Sequence, residues 1–155
     1  MIELPASWGV DLDIFTHLIA LLVAYVLALP IGWDREVSER SAGLRTFPLV
    51  AIATCGFIQA AEGITLGNAE ATARIVEGLI TGMGFIGGGA ILVVRNSVKG
   101  TATAASLWAT GAIGTAVGLG TYDTAIVLSI VTFLTLRVMK TFKSAENEGK
   151  VGDDT

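Results

Sequence analysis

Three short stretches of this chain hold residue types that could do chemistry. In the first, Asp34, Arg35 and Glu36 follow Trp33 at the end of an apolar run. A carboxylate at a hydrocarbon boundary is costly unless it is paired, and Arg35 or Arg45 can supply the partner. Snorkelling and interfacial anchoring also account for Arg35 and Trp33. In the second, Gly43-Leu44-Arg45-Thr46 and Gly100-Thr101-Ala102-Thr103 each set a glycine ahead of a threonine able to cap a helix. Either would leave a helix N-terminus, with its partial positive charge, beside Arg45 or Lys99, where an anion or lipid headgroup could sit. Ordinary capping and charge anchoring explain the same residues. The third stretch is the densest. Gly78, Gly82, Gly84 and Gly88 fall at four-residue spacings that let another helix approach closely. Alternatively, Gly87, Gly88 and Gly89 break the helix near mid-depth and expose carbonyls along an ion path. Glu77 stands three residues after Arg74 and can pair with it along a helix.

The single histidine and single cysteine, His17 and Cys55, lie in separate apolar runs. Neither has the neighbours that a metal site, a nucleophile or a disulfide needs. No catalytic group, cofactor or metal is expected.

Helices must position these residues, and the apolar runs suggest which. Asp13 to Trp33, Thr46 to Ala61, Ile75 to Val94, Thr103 to Leu119 and Tyr122 to Met139 are each about long enough to cross ~30 Å of hydrocarbon at ~1.5 Å per residue. Alternating the connecting segments places Arg35, Arg40, Arg45, Arg95, Lys99, Arg137, Lys140, Lys143 and Lys150 on one side and only Arg74 on the other. By the positive-inside rule the larger group is cytoplasmic. The expected fold is therefore all-α: a polytopic membrane bundle of about five transmembrane helices, N-terminus outside and C-terminus cytoplasmic. The second span, with Pro48, Gly56 and Gln59, and the Ala-, Gly- and Thr-rich fourth belong inside it, with Gly114-x-x-x-Gly118 on the fourth offering a surface to match the third. Residues 144–155 read as a polar, disordered tail.

Composition agrees. The chain has 155 residues, 52% of them hydrophobic and 15% charged, with 19 glycines, and a mean hydropathy of +0.68. That is too apolar for an ordinary soluble domain. No basic patch with interleaved aromatics points to nucleic acid. The first run follows acids and is too long for a signal peptide, so it is expected to stay in the mature protein. A weak internal repeat is also visible, since the first and third spans each end in a polar pair that leads to Gly-x-x-Thr.

Taken in order, Gly32-Trp33-Asp34-Arg35, Ala42-Gly43-Leu44-Arg45-Thr46, Arg74 with Thr81-Gly82-Met83-Gly84-Phe85-Ile86-Gly87-Gly88-Gly89, and Gly100-Thr101-Ala102-Thr103-Ala104-Ala105-Ser106-Leu107-Trp108 resemble the membrane domain of the MgtC/SapB family over about Ile31 to Gly120. The resemblance implies a multi-pass bacterial inner-membrane protein whose 1–143 region is that membrane domain, without the soluble C-terminal domain of larger members. It links the chain to magnesium limitation, acid tolerance and, in some pathogens, restraint of the membrane ATP synthase. It marks Asp34, Arg35, Gly43, Arg45, Thr46, Gly84, Gly87, Gly100, Thr103 and Trp108. The chain departs from the pattern at Asp34, where the family usually has Glu, at Thr101, where it has Leu, and near Gly78, where it has Gln. Two functions stand open: a non-catalytic regulator or interaction module, working as a homo-oligomer, with a dimer favoured, or beside another membrane complex such as an ATP synthase; and a small oligomeric channel or transporter.

Overall fold

The computed structural model describes residues 14–38, 42–94 and 97–151, with Val94 and residues 140–151 described by backbone alone. It is 83% helical. Five long helices, α1 (Ile14–Val37), α2 (Thr46–Ala60), α4 (Ala69–Gly89), α5 (Thr101–Gly118) and α6 (Tyr122–Val151), are joined by the single turn α3 (Glu62–Thr65) and by a two-stranded hairpin, β1 (Leu92–Val94) and β2 (Ser97–Lys99).

Helix α5 stands at the centre and touches α1, α2, α4 and α6. Its sequence explains this position. Gly111, Gly114 and Gly118 leave hollows into which neighbours press: a methyl group on Gly114 would overlap the Ala51 carbonyl oxygen and Thr54 Oγ1, and one on Gly118 would stand 2.7 Å from Ile58 Cβ. Gly114 and Gly118 thus seat α2 rather than the third expected span, because the residues that interlock with them are Ala51, Thr54, Cys55 and Ile58. The contacts advance together along both chains, so α2 and α5 run parallel. Gly111 meets Met83 and Gly87 meets Ala104, so α4 is antiparallel to α5. Gln59 Nε2 donates to the His17 carbonyl at the far end of α1 (3.3 Å), while Gly32 packs on Gly43 and Phe47, so α1 is antiparallel to α2. The C-termini of α1 and α4 and the N-termini of α2 and α5 consequently share one end of the bundle. Ser129 Oγ ties α6 to α1 through the Leu27 carbonyl (2.6 Å).

Helix α1 buries a stripe of small residues, Ala20, Ala24 and Ala28, ending at Ile31, and leaves Leu18, Leu22 and Val26 exposed. Two helical stretches, Ile14–Val37 and Tyr122–Met139, are long and apolar enough to cross a membrane, yet only 22% and 11% of their apolar windows are buried. The core helix of a soluble protein would be covered. Helix α2 is apolar but shorter, at 15 residues.

Several boundaries differ from the sequence reading. The third helix begins at Ala69, where Asn68 Oδ1 caps it by accepting from the Ala71 N–H (3.0 Å), and ends at Gly89 rather than Val94. Gly87, Gly88 and Gly89 are its last turn, not a break at mid-depth, because the chain turns away directly afterwards into β1. Branching at the β-carbon carries that segment into strand geometry, which Val93, Val94 and Val98 all favour. Helix α6 continues past Lys143 to Val151, through residues read as a tail, where Ala145, Glu146, Glu148 and Lys150 are good helix formers; residues 152–155 lie outside the described residues.

If backbone contact at Gly114 holds α2 on α5, Gly114→Ala should destabilise the protein by ~1–3 kcal/mol. Gly84→Ala, which meets nothing within 4 Å, should leave the thermal midpoint in detergent close to that of the parent. Equal midpoints for the two variants would show that α5 is not held this way.

Candidate functional site

The shared end of the bundle carries the charged motifs. Asp34 and Arg35, in the last turns of α1, are 2% and 6% exposed. They pair with each other: Arg35 Nε donates to Asp34 Oδ2 (3.1 Å) and a second guanidinium nitrogen closes on the same oxygen. Burial of both charges makes the pair interdependent, since neither has water to fall back on. Ser38 Oγ donates to the Asp34 carbonyl (2.7 Å) and finishes the helix.

The segment leading to α2 is held by Glu36, a residue to which the sequence reading gave no role of its own. Glu36 accepts the Leu44 N–H at its Oε2 (3.1 Å), and its carboxylate lies so close to Gly43 that any β-carbon there would overlap it. A side chain at Gly43 would push that carboxylate off the Leu44 N–H, so this contact, rather than the backbone angles, favours glycine there. An eight-residue separation between a carboxylate and an N–H leaves no periodic signal in sequence.

Thr46 and Thr103 do not cap their helices. Arg45 is the N-cap of α2 and already has helical angles, with no side-chain cap, because the chain turns helically from Gly43, whose carbonyl accepts from the Thr46 and Phe47 N–H groups (3.0 and 3.1 Å). Pro48 lacks an N–H, and the Leu44, Thr46 and Phe47 N–H groups already have acceptors within the protein. Arg45 is exposed and makes no ion pair with Asp34; of the two partners the sequence allowed, Asp34 takes Arg35. At α5, Gly100 is the N-cap in the left-handed region (φ +90°), pressed against the Ala90 carbonyl, and Thr103 is buried. The two Gly-x-x-Thr segments are therefore built differently. On α4, Arg74 pairs with Glu70 one turn before it (2.7 Å) rather than with Glu77, and both partners are exposed.

The α4 glycines divide by face. A β-carbon on Gly87 would stand 3.3 Å from the Ala104 carbonyl oxygen, whereas one on Gly78, Gly82, Gly84, Gly88 or Gly89 would meet nothing within 4 Å. Only Met83 and Gly87 of the helix are buried. An apolar groove of about 790 Å³ separates α4 from α2, lined by Leu49, Ala53, Phe57, Gly78, Gly82 and Phe85. A second, of about 310 Å³, lies between α4, α5 and α6, with Trp108 at its side. Among the described residues no three His, Cys, Asp or Glu side chains gather as a metal site would require. The arrangement offers one buried ion pair and broad apolar surfaces.

The sequence profile described as the MgtC family matches residues 21–145. Among curated relatives, "Putative magnesium transporter YhiD" of Escherichia coli (strain K12) is 35% identical over 78% of this chain and 59% of its own length. "Protein MgtC" of Salmonella typhimurium is 35% identical over 76% of this chain and 49% of its own. "Protein SrpB" of Synechococcus elongatus is 36% identical over 77% and 72%. The chain thus spans about half to three-quarters of these relatives. No solved structure matches it.

Breaking a buried pair from one side leaves an unpaired charge, so Asp34→Asn and Arg35→Gln should each destabilise by ~3–5 kcal/mol. The double variant should cost clearly less than the sum of the two. Additive losses in a thermal or denaturant cycle would separate the two side chains energetically.

Proposed function

This chain belongs to the MgtC family, and from that premise we propose that it is a multi-pass inner-membrane protein which acts as a non-catalytic interaction module under magnesium limitation or acid stress. Its five long helices alternate in direction, and α1 and α6 turn bare apolar surface outward, which supports five crossings with the end bearing Arg35, Arg45 and Lys99 in the cytoplasm. Helices α4 and α5 are less apolar than α1 and the Tyr122–Met139 stretch of α6. They cross as parts of a bundle, where the contact of small residues replaces bulk hydrophobicity.

One observation carries the interaction role: α4 packs mainly against α5, five of its glycines stand uncovered, and two of them, Gly78 and Gly82, line a groove open from the side. Close helix packing in a bilayer uses such surfaces. The partner proposed is a second copy of the chain, giving a homodimer; a helix of another membrane complex, such as an ATP synthase, is the other partner the family resemblance suggests. Transport is the alternative reading, favoured by the name of the YhiD relative and by the buried Asp34–Arg35 pair. The grooves around α4 are apolar, so a polar path would have to form between subunits.

Two measurements test this. Single cysteines at Ser97 and Ser144 in a Cys55→Ser background should react with reagents from the cytoplasmic side and one at Gly67 from the outer side. Reaction of the Ser97 and Gly67 positions from one side would remove the five-span arrangement. Gly78→Leu and Gly82→Leu should abolish cross-linked dimers and growth in low magnesium while leaving the thermal midpoint unchanged. Full complementation by these variants at normal protein levels would count against the α4 surface and leave transport as the reading to pursue.

A further inference from the structure

The hairpin between α4 and α5 is the one element that the bundle does not account for. Its register pairs Leu92 with Lys99, Val93 with Val98 and Val94 with Ser97. Alternation along each strand sets Ile91, Val93 and Val98 on one face, and all three are exposed, Val93 by 74% and Val98 by 59%. The strands pair with each other and neither packs extensively on a helix. A lone two-stranded hairpin is marginal in water, the more so with an uncovered valine pair. Its base, however, is fixed: Gly100, at φ +90°, sits against the Ala90 carbonyl at the junction of hairpin and helices. The apolar face is held at the end of the bundle.

Charge and length together select what covers it. Leu92 to Lys99 contains Arg95 and Lys99 and no acidic residue. Lys99 is exposed, on the face opposite the valines, and has no ion-pair partner among the described residues. Three-residue strands are too short to recruit another strand through an edge, as peptide-binding sheets do. A hairpin apolar on both faces, with exposed Leu92 across from Lys99 and that cation at its base, is complementary to the boundary layer of an anionic bilayer, where apolar side chains enter the acyl region and lysine reaches phosphate.

We propose that the 92–99 hairpin is a membrane-surface anchor. Val93 and Val98, with Ile91, enter the headgroup–acyl boundary, and Lys99 holds anionic phospholipid headgroups. This rests on the reading that α4 and α5 cross the bilayer.

The full-length chain with Cys55→Ser is reconstituted in nanodiscs of phosphatidylcholine, alone or mixed with phosphatidylglycerol. An environment-sensitive fluorophore is attached at Val93→Cys or Val98→Cys, with controls at Leu18→Cys and Ile130→Cys on the outward faces of α1 and α6. Expected are blue-shifted emission at both hairpin positions, a severalfold loss of quenching by a neutral aqueous quencher, and quenching by lipids spin-labelled near the headgroup. The effect should strengthen with phosphatidylglycerol and lose that dependence in Lys99→Glu. Water-exposed hairpin probes in both bilayers, with the Leu18 and Ile130 probes buried, overturn the anchor alone; water-exposed controls overturn the membrane reading beneath it. Insertion equal in both bilayers and indifferent to Lys99→Glu overturns the headgroup contact. Disulfide-linked dimers through Val98→Cys with water-exposed Val93 probes assign the face to a second copy and overturn the proposal.

Discussion

Backbone contact between α2 and α5 governs the remaining architecture. Gly114 and Gly118 bring α5 against the Ala51 and Cys55 carbonyls and the Ile58 side chain. At that distance dispersion contacts and lost voids do the work that a hydrophobic effect does in water. Because the contact runs parallel along both helices, it fixes the N-termini of α2 and α5 at one end. The intervening chain must then return through α3 and α4, and α4 is left on the rim with most of its surface bare. Buried hydroxyls suit the same scheme: Thr54, Ser106 and Thr110 donate to carbonyls on their own helices, so they add little bulk and none of the three is left without an acceptor.

The buried Asp34–Arg35 pair and the Glu36–Leu44 bond divide one task between them. Three consecutive charged residues close α1, and each points to a different need. Asp34 neutralises Arg35 inside the bundle, and Glu36 turns outward to fix the approach to α2. Exchanging Asp34 for Glu would lengthen the reach of that carboxylate by one methylene into the space beside Arg35.

Much of this was legible in the sequence. Long apolar runs at α1 and α6 announced themselves by length, and the polar stops at Trp33 to Glu36 announced the end of α1. The identity of α2 and α5 as interior helices followed from their small residues. Pairwise details were not legible. Which helix fills the Gly114 and Gly118 hollows depends on tertiary order, and four-residue spacing on α4 reads the same whether a face is covered or bare. Asp34 choosing Arg35 over Arg45 depends on side-chain direction at a helix end, which spacing does not encode. The hairpin escaped notice because Leu92 to Val94 continues the apolar character of α4, and hydropathy alone does not separate strand from helix in so short a run.

Helix α2 has only 15 residues, about 22 Å of rise, against roughly 30 Å of hydrocarbon. In the proposed five-crossing arrangement the flank of α2 is thinner than the flank of α1, with 24 residues. A bilayer around it would be pinched on one side and relaxed on the other. Mismatch of that kind ranks neighbours by length: a short helix beside the α2–α4 groove relieves the deformation, and a long one has to tilt to fit.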